Sequence, residues 1–195
     1  MSSQVSMVAR QAVDGRRAET LEKLLEAGSE ELRAVGHDAL TVRSVAARAG
    51  VSPATAYTYV ASKNHLFAEL FWRYLDSDRP AVSGSGALER LRATTRALAG
   101  QLAAAPELAA AVTPALLSSD PDVERLRLRI GGEFLDRFAE SIGDDIPADR
   151  VDPVLETLVM AFSGALLQTG MGLITYAELA DRLDPVVGTI LEGHL

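Results

Sequence analysis

Residues 41–67 read "TVRSVAARAGVSPATAYTYVASKNHLF", and this stretch decides the fold. Thr41 is suited to cap a short helix that ends near Arg48, with Val42, Val45, Ala46 and Ala49 as its packing face. Gly50 supplies the positive φ of a tight turn, and Val51 fills the core behind it. Ser52 and Pro53 then spell a helix start: a hydroxyl cap followed by proline at the first helical position, where its missing N–H costs nothing. That helix ends near residues 60–61. Ser62 caps the next one, which turns Leu66, Phe67, Leu70, Phe71 and Tyr74 inward and pairs Glu69 with Arg73 outside. Two short helices joined across a glycine turn form a helix-turn-helix, with Ala46 and Ala56 small enough to lie in its angle.

The stretch contains no Asp or Glu, although the chain carries a formal charge of −8. Residues 1–79 balance 10 Lys/Arg against 10 Asp/Glu, whereas residues 80–195 hold 9 against 17. Within 39–75, Arg43, Arg48, Lys63 and Arg73 face Glu69 alone. A basic, acid-free segment in an acidic chain points to a polyanionic partner for that segment. The outward face of the second short helix carries Ser52, Pro53, Ala54, Thr55 and Thr58, with Tyr57 and Tyr59 alongside. Small residues let a helix sink into a DNA major groove, and threonine hydroxyls and methyls suit base edges. Tyrosine hydroxyls and Lys63 suit phosphate oxygens, and Arg43 suits a phosphate or a guanine edge. A carboxylate here would face phosphates spaced about 1.7 Å apart along the duplex axis.

Outward from this segment, residues 1–15 read as a flexible tail, and Leu21, Leu24, Leu25, Gly28, Leu32 and Val35 mark a helix from 16 to a stop at Gly36. The run "RPAVSGSGAL" at 79–88 reads as a linker. Beyond it, helical spacing continues over 87–105, 107–118 with an interruption at Pro114, 121–142 opened by an Asp120 cap, 149–175 and 176–192. No alternating pattern of useful length and no repeat accompanies these helices. The expected fold is all-α: a three-helix helix-turn-helix DNA-binding domain at 16–62, a connecting helix at 63–79, and a larger helical ligand-binding and dimerisation domain at 80–195. The connecting helix is expected to be the only element that touches both domains.

In register, Thr41, Val45, Ala46, Ala49, Gly50, Val51, Ser52, Tyr57, Lys63 and Leu66 resemble the N-terminal signature of the tetracycline-repressor-like (TetR) family of bacterial regulators. Val60, Tyr59 and the pair Asn64–His65 depart mildly from it. The strong match covers about residues 16–75. The resemblance implies that Arg43, Pro53, Ala54, Thr55, Tyr57, Thr58, Tyr59 and Lys63 carry DNA contacts. It also implies a homodimer on a palindromic double-stranded operator, released from it by a small-molecule effector in a C-terminal pocket. The expected activity is that of a regulator, a repressor in the first instance. The alternative is a small all-α binding or scaffold protein that does not touch DNA.

Other chemistry finds little support. The chain has no cysteine, which fits a reducing cytoplasm. No two of His37, His65 and His194 have metal-binding spacing, and no phosphate-cradling glycine motif or nucleophile elbow is present; no enzyme activity, metal or cofactor is expected. The N-terminal residues lack the apolar core of a secretory signal. The uncharged run at 157–177 is long enough for a bilayer, but its glycines, Gln168 and threonines favour a buried helix. Ala161, Gly164 and Ala165 permit close helix approach and mark a dimer seam on the last two helices. Phe71, Trp72, Leu98, Leu102, Phe134, Phe138, Met160 and Gln168 are the candidate lining of an effector pocket, which with no evident buried charge would take an apolar or weakly polar ligand.

Overall fold

The computed structural model describes the backbone of residues 2–192 and the side chains of 15–192. Among the described residues the chain forms helices and no strand. They are α1 (Ser2–Ala39), α2 (Val42–Arg48), α3 (Pro53–Tyr59), α4 (Lys63–Ser77), α5 (Ala87–Ala104), α6 (Pro106–Leu117), α7 (Pro121–Ile142), α8 (Ala148–Gly170) and α9 (Leu179–Leu191). The expected stop at Gly36 is a break inside α1, where the backbone leaves helical geometry at φ 76° and ψ 168°. Only glycine enters that region without strain. Residues 2–15, expected as a tail, continue α1 instead; they hold no proline, and glycine appears only at Gly15. Pro114 does not interrupt α6, because it is exposed and removes a single N–H from the ladder. The helix expected over 149–175 ends at Gly170, where Gly172 at φ 73° turns the chain.

Two cores hold the molecule. The first joins Leu24, Leu25 and Leu32 of α1 to Val42, Val45, Ala46, Ala56, Leu66, Phe67 and Leu70. The second is built around Leu91, Leu98, Ile130 and Leu158, with Phe162 set between Phe134 at 5.1 Å and Phe138 at 5.6 Å. Leu66, Phe67 and Leu70 of α4 enter the first core, whereas Phe71 and Leu75 enter the second. The two sets meet at the consecutive residues Leu70 and Phe71, so α4 cannot move without disturbing both.

Nor is α4 alone in this. Ala111 and Ala115 of α6 sit in the first core, while Ala109 and Val112 of the same helix sit in the second. Val123 and Leu126 of α7 close over Ala68 of α4. The expectation that only the connecting helix touches both halves is therefore corrected: alanines, with no bulk to signal a contact, let α6 lie directly on α1 and α4. Arg73 also departs from its expected i,i+4 partner. It pairs with Glu22 of α1, and Glu69 faces His65 at 3.7 Å instead. Tyr74 is half-buried, its hydroxyl donating to the Gln101 carbonyl at 2.9 Å.

Below this junction a buried polar cluster ties α4 to α5 and α7. Arg137, 5% exposed, donates to Glu133 at 2.7 Å, to Gln101 Oε1 at 3.1 Å and to the Leu75 carbonyl at 2.7 Å. Gln101 in turn donates to the Asp78 carbonyl. The orphan carbonyls at the end of α4 thus acquire partners from the larger core. By length and composition α8 could cross a bilayer. Here Val154, Leu158 and Phe162 pack it into the bundle, while Met160 (60% exposed) and Leu167 lie open on the other face. The expectation of a buried helix describes one face of α8 only.

Candidate nucleic-acid interface

Each step of the 41–67 stretch has its local cause. Thr41 and Ser44 form a reciprocal cap: the Ser44 N–H donates to Thr41 Oγ1 at 3.0 Å and the Thr41 N–H to Ser44 Oγ at 3.1 Å. A capping box commonly closes with Glu or Gln. Serine does the same work here without a carboxylate. Gly50 takes φ 67°, and the Val51 N–H reaches back to the Ala46 carbonyl at 3.0 Å. Ser52 accepts from the Thr55 N–H at 3.1 Å, with Pro53 following it in the first turn of α3. Ala46 and Ala56 are fully buried.

The structure divides the predicted contact residues. Arg43, Ser52, Pro53, Ala54, Tyr57 and Thr58 are exposed, Tyr57 at 47%. Thr55 is half-buried, its hydroxyl against Ser52 Oγ at 2.8 Å. Tyr59 is half-buried against the first core. Thr58 is exposed, and its hydroxyl turns back to the Thr55 carbonyl. Lys63 donates to the Asp38 carbonyl at 3.0 Å and lies 5.7 Å from the Phe67 ring. An ammonium has three N–H groups, so two remain for another acceptor.

The local positive balance is smaller than counting suggests. Arg48 binds Glu31 at 2.7 Å and Glu30 at 3.6 Å, and this bond holds the Glu31 carboxyl below the usual carboxylate range. With Arg73 on Glu22, two of the four cations are fastened to α1. Among the described residues neither Arg43 nor Lys63 has such a tie to a carboxylate. Sequence spacing could not reveal these pairings, because the acids lie 17 and 51 residues away.

A contact invisible in the sequence joins this unit to α7. The Ser62 hydroxyl caps α4 by accepting from the His65 N–H at 2.9 Å. It also donates to the carboxylate of Asp120, which caps α7. The Asp120 carboxyl is held below its ordinary range, first by Ser62, then by the Asp122 N–H and the nearby His65.

The eight candidate pocket residues separate into three places. Phe71, Leu102 and Phe134 line one cavity of about 230 Å³ between α4, α5, α6, α7 and α8. Leu98 and Phe138 are solid core at 1% exposure. Trp72 is partly buried at the edge of that core, under the Arg129 guanidinium, 4.0 Å from its ring centre. Met160 and Gln168 belong elsewhere: with Ala161, Gly164 and Ala165 they line an open groove between α8 and α9. Their helical spacing reads as inward only if the opposite face is chosen.

Residues 24–70 match the model of the bacterial regulatory proteins of the tetR family. The chain is 47% identical over 185 residues to an uncharacterized HTH-type transcriptional regulator of Mycobacterium tuberculosis, covering 91% of this chain and 83% of that protein. It is 29% identical over 119 residues to the HTH-type transcriptional repressor KstR of Mycolicibacterium smegmatis, covering 58% of each. In structure it resembles a TetR transcriptional regulator from Rhodococcus sp. RHA1, with a TM-score of 0.77, 19% identity and coverage of 90% and 96%.

Proposed function

This chain belongs to the tetR family of bacterial regulatory proteins, DNA-binding regulators of transcription, and from that premise we propose that it is a dimeric repressor released from a palindromic operator by a small ligand. Residues 16–62 read the DNA, 63–79 connect, and 80–195 bind the ligand and the second subunit. Arg43, Ser52, Pro53, Ala54, Tyr57, Thr58 and Lys63 meet the duplex. Thr55 and Tyr59 hold α3 in place. The observation that carries this reading is the exposed, acid-free face of α3, made of small and hydroxylated residues on a helix fastened by two alanines. The name of the relative KstR supports repression as the sign of the response.

The dimer seam lies on α8 and α9. Ala161 and Gly164 stand there beside exposed Met160, Leu173 and Val186, an apolar strip that a second copy would cover. The effector occupies the cavity lined by Phe71, Leu102 and Phe134, against the residues of α4 and α6 that enter both cores.

Tyr57→Glu tests the interface without touching the core, since Tyr57 is half exposed. Gel-shift titrations should show binding to operator and random duplex alike reduced by about tenfold or more, because one carboxylate now opposes the phosphates. Wild-type binding by this variant would remove α3 from the interface.

A further inference from the structure

We infer that the effector is an anionic amphiphile, an apolar body bearing one carboxylate or comparable anion, and that Arg127 binds its charge. This ligand class presupposes that the cavity is the effector site. Its wall is aliphatic and aromatic, with Leu116, Ile130 and Leu166 beside the residues already named. Among the described residues the polar lining is limited to Thr113, Ser163 and Arg127, with no carboxylate. The Thr113 hydroxyl already donates to the Ala109 carbonyl at 2.9 Å.

Among the described residues Arg127 is therefore the one charged group lining the cavity, and it is half-buried. It donates to the carbonyls of Leu116 at 2.6 Å and Ser118 at 2.5 Å. Among the described residues no Asp or Glu lies within ion-pair distance of it, unlike the paired Arg48, Arg79, Arg90 and Arg137. Of the five guanidinium N–H groups, two have partners. A neutral apolar ligand would cover this cation and strip its water without replacing it, at an energetic cost. An anion at the cavity wall supplies the missing partner through charge-assisted hydrogen bonds.

The same residue offers a route outward. Leu116 and Ser118 end α6, so an anion that draws Arg127 away frees the last carbonyls of that helix. The turn that follows leads to Asp120, which holds Ser62 at the first turn of α4.

Sodium decanoate and decan-1-ol, matched in chain and differing in charge, provide the test on the full-length protein. Binding is followed by calorimetry, with Trp72 fluorescence as a second readout. Decanoate should bind wild type about tenfold or more tighter than the alcohol, the worth of a charge-assisted bond. Arg127→Gln, which keeps amide donors for the α6 carbonyls, should bind the two equally. Gly131→Leu fills the cavity: Gly131 lines it, and a Cβ there meets nothing within 4 Å. Leucine is also the better helix former, so this variant should melt no lower than wild type and bind neither probe. Equal binding of both probes to wild type overturns the anionic ligand, and discrimination that survives Arg127→Gln overturns Arg127 as the partner of its charge; either result leaves the cavity as effector site. Binding unaltered by Gly131→Leu, or no binding of either probe to wild type, overturns the cavity reading itself and the ligand class with it.

Discussion

Single residues divide sharply between those that hold α3 and those it presents. Thr55, Ala56 and Tyr59 fix the helix from within, whereas Tyr57 and Thr58 point to solvent. A phosphate contact and a base contact therefore have different signatures. Lys63→Ala should weaken binding to operator and random duplex by a similar factor and lower the salt slope by about 1, one phosphate's counterion. Thr58→Ala should narrow the gap between the two duplexes by roughly 1 kcal/mol, through loss of the side chain's contact with base edges. Gel shifts across a salt series distinguish them; a Lys63→Ala effect confined to operator would reverse the assignment. Most of this was legible at residue level, because caps, turn glycine and acid-free spacing are local. The fastening of Arg48 and Arg73 was not, since each depends on a carboxylate brought near only by the fold of α1.

At the level of elements, the boundaries of α2, α3, α4 and α7 could be read from Thr41, Ser52, Ser62 and Asp120, whose side chains cap them as expected. The contacts between elements could not. Alanines at 111 and 115 carry no directional signal, yet they seat α6 in the first core. Ser62 and Asp120, each legible as a cap, are 58 residues apart in sequence and meet in space. That pair makes a titratable joint between α4 and α7. Because the Asp120 carboxyl is depressed, its stabilising effect is full above the ordinary carboxylate range and is lost as pH falls through the folded-state value. Asp120→Asn keeps the capping ability but not the charge. It should therefore lower stability at pH 7 by about 0.5–1 kcal/mol, a modest figure for a partly solvated group. Thermal melts should show that difference shrinking toward zero in acid. A deficit that persists unchanged at low pH would mean the charge is not what the joint uses.

For the whole molecule the decisive matter is symmetry. The groove between α8 and α9 leaves Met160, Gly164 and Gln168 facing outward, and this explains why Met160 and Gln168, assigned to a pocket by spacing, do not reach one. Helical periodicity finds an apolar face but not whether its cover is the same chain or another. A Cβ at Gly164 meets nothing within 4 Å, so Gly164→Glu should leave the subunit folded while placing two like charges across the proposed two-fold seam. Light scattering should then show monomer, and operator affinity should fall because the half-sites are no longer engaged together. A Gly164→Glu protein that stays dimeric would move the seam elsewhere. The most direct test of the account is selection of binding sites from a pool of random duplexes by the wild-type protein. Enrichment of an inverted repeat is expected, its half-sites centred about 10 bp apart or a multiple of it, one reading head per major groove. Enrichment of a single asymmetric site, or no enrichment at all, would contradict it.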